Sequence, residues 1–159
     1  MELLSGKYLT FSLGKEEYGI PISKVREIIG VLEITSIPKS PPFIKGVINL
    51  RGKIIPVVDL RLKFGLEEVG YNERSCTVVV ETIFEEEKKL TGIIVDTVSE
   101  VVNVQKTELE ELPRYAGDMS NSCFSGLGKV KGKVILLLDI ETIINTDDIH
   151  NFEIPNIKA

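Results

Sequence analysis

The sequence predicts an all-β fold of two small five-stranded barrels packed together, with helix only in short pieces. Three observations predict it. First, the chain repeats itself: GVINLRGKIIPVVDL, from Gly46 to Leu60, returns eighty positions later as GLGKVKGKVILLLDI, from Gly126 to Ile140. Gly46/Gly126, Gly52/Gly132, Lys53/Lys133, Ile55/Ile135 and Asp59/Asp139 coincide, and most other positions exchange one aliphatic side chain for another. A second match sets GIPISKVREII from Gly19 against GIIVDTVSEVV from Gly92, at an offset of 73. Second, short strand signals follow one another without βαβ spacing or long helical stripes, which indicates antiparallel sheet, and closure into a barrel removes exposed edges. Third, a half of about 65–70 residues buries only about 60% of its unfolded surface, so the halves are expected to pack on each other.

Taken in order, Lys7 to Leu13 alternates Tyr8, Thr10 and Ser12 with Leu9, Phe11 and Leu13, a half-buried strand. Gly14 opens a polar turn, and Tyr18 to Pro21 resumes a strand. Ser23 is placed to cap a short helix with Val25, Ile28 and Ile29 on one side. Glu33 to Ile37 is a further short strand, stopped by Pro38 and the pair Pro41-Pro42, which cannot donate to a ladder. Gly46–Leu50 and Lys53–Val58 form a hairpin whose turn, Arg51-Gly52, suits a positive φ at the glycine. Asp59 caps the turn-like segment Leu60–Phe64, and the polar stretch from Gly65 to Arg74 joins the halves. Cys76–Phe84 and Leu90–Val95 are strands around the charged turn Glu85–Lys89, and Asp96–Val102 repeats the segment after Pro21. The offset grows from 73 to 80, and the polar loop Pro113–Cys123 is the natural place for the seven added residues. After Asp139, Ile140, Ile143 and Ile144 make a short closing helix. The tail from Asn145 to Ala159 is polar and expected to be loosely held. The chain thus divides as one domain, with a first barrel over about 7–65 and a second over about 75–144, strands being open to exchange between them.

The totals exclude several functions. With 43% hydrophobic residues and a mean hydropathy of +0.12 the chain can build a core. A formal net charge of −5 argues against nucleic acid and against a polybasic membrane patch. No apolar run reaches the roughly 18–20 residues of a membrane span, and MELLSGKYLTF lacks a basic n-region and a long apolar stretch. Cys76 and Cys123 stand far apart without a CxxC partner, as expected of thiols in a reducing compartment. A cytoplasmic protein is expected.

Catalytic patterns are nearly absent. His150, the one histidine, sits in the polar tail. There is no HExxH, paired CxxC or EF-hand spacing. Gly126-Leu127-Gly128 lacks the third glycine and the βαβ context of a dinucleotide site and reads as a β-bulge or barrel bend. Gly46 to Lys53 does not fit a phosphate loop, since no Ser or Thr follows the lysine. Asp59 and Asp139 resemble a carboxylate pair, but the duplication makes both turn caps. Arg51 is left. At a turn tip an arginine is ordinarily solvated, yet its planar guanidinium suits a fixed, bidentate partner, and the other turn carries Lys131 instead.

These residues carry a resemblance. EEYGIPISKVREI followed by FIKGVINLRGKIIPVVDLRLKFG, and in the second half GIIVDTVSEVV and GLGKVKGKVILLLDIE, closely resemble the CheW family of bacterial chemotaxis coupling proteins. The likeness spans roughly Lys7 to Ile144. It implies two SH3-like five-stranded barrels and a non-catalytic cytoplasmic adaptor without cofactor or metal. The implied partners are the cytoplasmic tip of methyl-accepting chemoreceptors and the CheW-like regulatory domain of the histidine kinase CheA. The family's receptor groove maps onto Val25, Glu27 and Ile28 of the short helix, onto Gly46, Asn49, Leu50, Arg51 and Gly52 of the hairpin, and onto Val98. The kinase contact resembles an edge-to-edge pairing of barrels and is not assigned to residues. A CheW-like module of a larger signalling protein is the near alternative, against which stands the lack of an ATP-binding Gly-rich box, a phosphotransfer histidine helix and a receiver-type acidic pocket. A small β-barrel that binds nucleic acid is the alternative of another class.

Overall fold

The computed structural model describes residues 4–112, 123–144 and 149. The strands are β1 (Gly6–Leu13), β2 (Glu16–Pro21), β3 (Val25–Gly30), β4 (Ile44–Leu50), β5 (Lys53–Asp59), β6 (Cys76–Phe84), β7 (Glu87–Val95), β8 (Thr97–Val104), β9 (Leu109–Glu110), β10 (Phe124–Val130) and β11 (Lys133–Leu138). Two short helices, α1 (Leu60–Lys63) and α2 (Ile140–Ile144), follow the two hairpins. The strands form two sheets, β3-β6-β7-β5-β4 and β8-β1-β2-β11-β10-β9. The fold is all-β, two SH3-like barrels side by side, and each sheet draws strands from both halves of the chain.

The duplication is visible in the pairing register. The parallel contact of β5 with β7 sets Val57 opposite Gly92, and that of β11 with β2 sets Leu137 opposite Gly19. Both pairs are related by the offsets of 80 and 73 read in the sequence. The hairpins carry bulges at matching places, between Ile44 and Gly46 and between Phe124 and Gly126. The edge strands β3 and β8 are bulged at Arg26 and Ser99, again 73 apart. Such bulges twist an edge away from further pairing. Asp59 accepts from Leu62 N at 3.4 Å and Asp139 from Thr142 N at 3.3 Å, so each aspartate caps the helix after its hairpin.

Successive residues of the inner strands feed opposite cores, as period-two geometry requires. Val78 and Val80 of β6 enter a central core between the sheets, whereas Val79 enters the interior of the five-stranded barrel. Val58 and Val57 divide in the same way. Leu138 joins the central core and Leu137 the interior of the six-stranded barrel. A row of rings, Phe11, Tyr18, Phe64 and Phe124, with neighbouring centroids 5.6–6.0 Å apart, runs through the central core.

Three expectations need correction. Residues after Ser23 do not form a helix: Ile22–Lys24 is a single 3₁₀ turn without a side-chain cap, and Val25–Gly30 is strand β3. β3 alternates half-buried and exposed residues. The apolar Ile28 falls on the outer face, where it mimics a helical stripe, while β-branched Val25, Ile28 and Ile29 favour the extended chain. Glu33 to Ile37 is reduced to one bridge, Thr35 with Val47, because Pro38 and the Pro41-Pro42 pair leave no room for a ladder. In the tail expected to be loose, Ile149 is buried in the central core. His150 and residues 113–122 lie outside the described residues.

Candidate functional site

The hairpin β4–β5 turns through Arg51 at φ +51° and Gly52 at φ +88°, the left-handed pair of a type I′ turn. Glycine adopts that conformation freely and arginine only at a cost. The exposed Asn49 side chain accepts from Gly52 N at 2.7 Å and braces the turn. The tip therefore presents Arg51 in a fixed direction. Its Nη1 donates to Glu27 Oε1 at 3.1 Å, and its Nη2 donates to Glu27 Oε2, a fork-to-fork pair. The hydrogen bond from Arg51 holds the Glu27 carboxyl below the ordinary carboxylate range, and the same bond raises the Arg51 guanidinium further.

Glu27 belongs to β3 and Arg51 to the β4–β5 turn, and β3 and β4 are the two end strands of the five-stranded sheet. The ion pair thus bridges the two end strands at a solvent-facing point, with 68% of the Arg51 side chain exposed. In the other barrel the matching positions are Glu100 and Lys131. Lys131 has the same left-handed turn, at φ +52°, but among the described residues no ion pair joins it to Glu100.

The other expected residues divide into three groups. Ile28 lies on the open edge of β3 and is 42% exposed, followed by exposed Leu32. Val25 and Val98, 73 positions apart, are half-buried on β3 and β8 and pack against the central core. Val98 pairs with Phe11 in the six-stranded sheet and is not part of the hairpin tip. Leu50 is buried inside the five-stranded barrel. Gly46 is also buried, with φ +145°, and a Cβ there meets the Thr35 carbonyl oxygen at 2.0 Å. The structure therefore brings Glu27, Asn49, Arg51 and Gly52 together at the tip. Ile28 stands along the edge, and Leu50 and Gly46 support the tip from within.

Two polar contacts were missed from sequence. Arg61 of α1 grips Asp96, between β7 and β8, by Nε to Oδ1 and Nη2 to Oδ2, both 2.7 Å, while Gly14 N donates to Asp96 Oδ2 at 2.8 Å. Lys24 Nζ lies 2.6 Å from Glu141 Oε1 of α2. The offset of 80 places Glu141 at the position of Arg61, but opposite charges hid the equivalence. A cleft of about 200 Å³ is lined by Asp59, Arg61, Tyr71 and Asp96 among others. Its polar groups are spent on one another: Tyr71 OH donates to Asp59 Oδ2 at 2.8 Å, and burial, then Asp59, pushes the phenol up. Among the described residues no cluster of three metal-ligating side chains occurs. The tip at Arg51 and the edge at Ile28 remain open to solvent.

A family model described as the CheW-like domain matches residues 7–148. The chain belongs to the CheW-like domain family. Among its relatives is a protein named Chemotaxis protein CheW from Klebsiella aerogenes, 39% identical over 147 residues, which cover 92% of this chain and 86% of that one. Another of the same name, from Helicobacter pylori, is 31% identical over 141 residues, covering 89% and 82%. The crystal structure of scaffolding protein TtCheW from Thermoanaerobacter tengcongensis superposes with a TM-score of 0.78 at 34% identity, covering 91% of this chain and 96% of that chain. The family match extends over both barrels.

Proposed function

We propose that this CheW-like protein is a non-catalytic adaptor that couples methyl-accepting chemoreceptors to the histidine kinase CheA. One observation carries the placement of the receptor contact. Two halves that agree in register, bulges and caps differ at the hairpin tips, where, among the described residues, only Arg51 is clamped to an edge strand by a carboxylate. A side chain held rigid and exposed binds at lower entropic cost than a free one, and arginine is enriched among residues that dominate binding energy. The apolar edge at Ile28 and Leu32 adds anchors of the kind that receive a helix. We place the receptor surface on Glu27, Ile28, Asn49, Arg51 and Gly52, with Val25 and Val98 at the seam between barrels and Gly46 and Leu50 as internal supports. The kinase is taken to dock barrel to barrel through its own CheW-like domain. Such a protein works in the cytoplasm at receptor arrays, in keeping with the lack, among the described residues, of a helix long and apolar enough to cross a membrane. Relatives named as chemotaxis and scaffolding proteins support the assignment.

The test is pull-down with a CheA regulatory domain and with receptor signalling-domain fragments. Ile28→Asp is the probe, since Ile28 is exposed and its replacement leaves the cores intact. We expect receptor capture to fall about tenfold or more, in line with loss of one buried anchor, with kinase capture and circular dichroism unchanged. Capture of neither partner by the wild-type chain sinks the adaptor assignment. Full receptor capture by Ile28→Asp moves the contact elsewhere.

A further inference from the structure

The fold must solve a sorting problem that its own duplication creates. The hairpins β4–β5 and β10–β11 share turn geometry, bulge position and a capped helix. They lie in the same parallel register against β7 and β2. Backbone geometry therefore accepts either hairpin in either barrel. The connection from residue 31 to residue 43 spans roughly 40 Å when extended, so the position of β3 does not by itself fix where β4–β5 docks. The two ion pairs of the helices break the tie. Arg61 in α1 meets Asp96 after β7, and Glu141 in α2 meets Lys24 after β2. Arg61 and Glu141 occupy equivalent positions with opposite charge. With the hairpins exchanged, Arg61 faces Lys24 and Glu141 faces Asp96, like charge against like at both places.

We propose that these two charge-inverted latches decide which of the two structurally equivalent hairpins docks in which barrel. The inference is independent of the adaptor function. Side-chain volume differs between the hairpins too, as Ile48 against Gly128 shows, but the latches act by sign and can be reversed without touching that packing. In the variant Arg61→Glu/Glu141→Arg, both native latches repel and both exchanged ones attract. With each of four contacts contributing a factor of roughly three, as expected of partly exposed pairs, the latches favour the native arrangement by about eightyfold in wild type and the exchanged one by about the same factor in the variant.

The experiment is refolding of isotope-labelled full-length chain from denaturant, followed by backbone NOE spectroscopy. Wild type gives cross-strand contacts between Val57 and Gly92. The reversed variant is expected to add a second set of resonances with contacts between Val57 and Gly19. A single set with Val57 opposite Gly92 overturns the proposal and leaves the latches as ordinary ion pairs. Should the reversed variant not fold, Arg61→Gln/Glu141→Gln, which removes attraction without adding repulsion, decides. It is expected to refold several-fold more slowly or to two arrangements, and wild-type rate with one arrangement overturns the proposal.

Discussion

Gly46→Ala puts the sharpest number on the scaffold beneath the hairpin tip. A Cβ at position 46 stands 2.0 Å from the Thr35 carbonyl oxygen and 2.7 Å from its carbon, so the connection carrying Thr35 has to retreat by more than 1 Å. Retreat breaks the bridge that pins the connection, Thr35 N to Val47 O and Val47 N to Thr35 O, both 2.9 Å. Two backbone hydrogen bonds at about 1 kcal/mol net each, with about 1–2 kcal/mol for an alanine held at positive φ, give about 3–4 kcal/mol. For a chain of this size that lowers Tm by about 10 °C. Gly52→Ala is the control. Its φ is +88°, but no atom lies within 4 Å of the added carbon, so only the backbone cost of about 1–2 kcal/mol applies. Urea unfolding of both variants should separate them by about 2 kcal/mol, from the two lost hydrogen bonds. Equal losses, or a Gly46→Ala loss below about 1 kcal/mol, would refute the steric reasoning, because the 31–43 connection would then be yielding freely.

Other changes probe the core, the clasp and the tip. Thr91 Oγ1 is buried without a hydrogen-bond partner among the described residues, and Thr91→Val should raise stability by about 1–2 kcal/mol; a loss in calorimetry would mean that the hydroxyl has a partner. For Asp96, burial acts upward most strongly, but hydrogen bonds from Arg61 and Gly14 N and the Arg61 charge outweigh it and leave the carboxyl below its ordinary value. Its contribution is therefore present above about pH 4, the unfolded value, and is lost as pH falls through the folded one. Asp96→Asn should lower stability at pH 7 and flatten the acid limb of the stability profile, and a limb as steep as wild type would count against the clasp. Exchanging the tip charges, Glu27→Arg with Arg51→Glu, keeps a staple but reverses the charge offered to a partner. Receptor capture should stay low although each single variant regains its ion pair in the double, whereas full rescue would make the pair purely architectural.

Much of this architecture was legible because apolar patterning and turn chemistry are local. Asp59 and Asp139 read as caps from their place after a strand, and the hairpin turns read from Arg51-Gly52 and Lys131-Gly132. The misreading of β3 has a local cause as well. Ile28 puts a large apolar side chain on a solvent face, which breaks the in-out alternation that a strand is read from. The clasp of Arg61, Asp96 and Gly14 was illegible for the opposite reason: its members lie far apart in sequence, and nothing local distinguishes them from solvated charges. Leu50 shows the limit of transferring a site by motif. Its neighbour in sequence is at the exposed tip, yet strand alternation turns Leu50 inward.

A duplicated fold offers its own control for function, since each position has a counterpart subject to the same backbone demands. Where both copies keep a feature, as with the caps, the bulges and the left-handed turns, the barrel requires it. Where they differ, the backbone demands that the copies share cannot be the reason. Two differences stand out, Arg61 with Glu141 and Arg51 with Lys131, and they call for different explanations. The first is reciprocal: each member meets an opposite charge, so both copies gain a contact, which is what sorting of hairpins requires. The second is one-sided. Among the described residues only Arg51 gains a partner, and most of its side chain still faces solvent. Exposed pairs contribute little to stability, so holding an arginine in place there does little for the barrel that Lys131 does not also allow. What a fixed guanidinium on an open face gives, and a free lysine does not, is a defined geometry for something that docks.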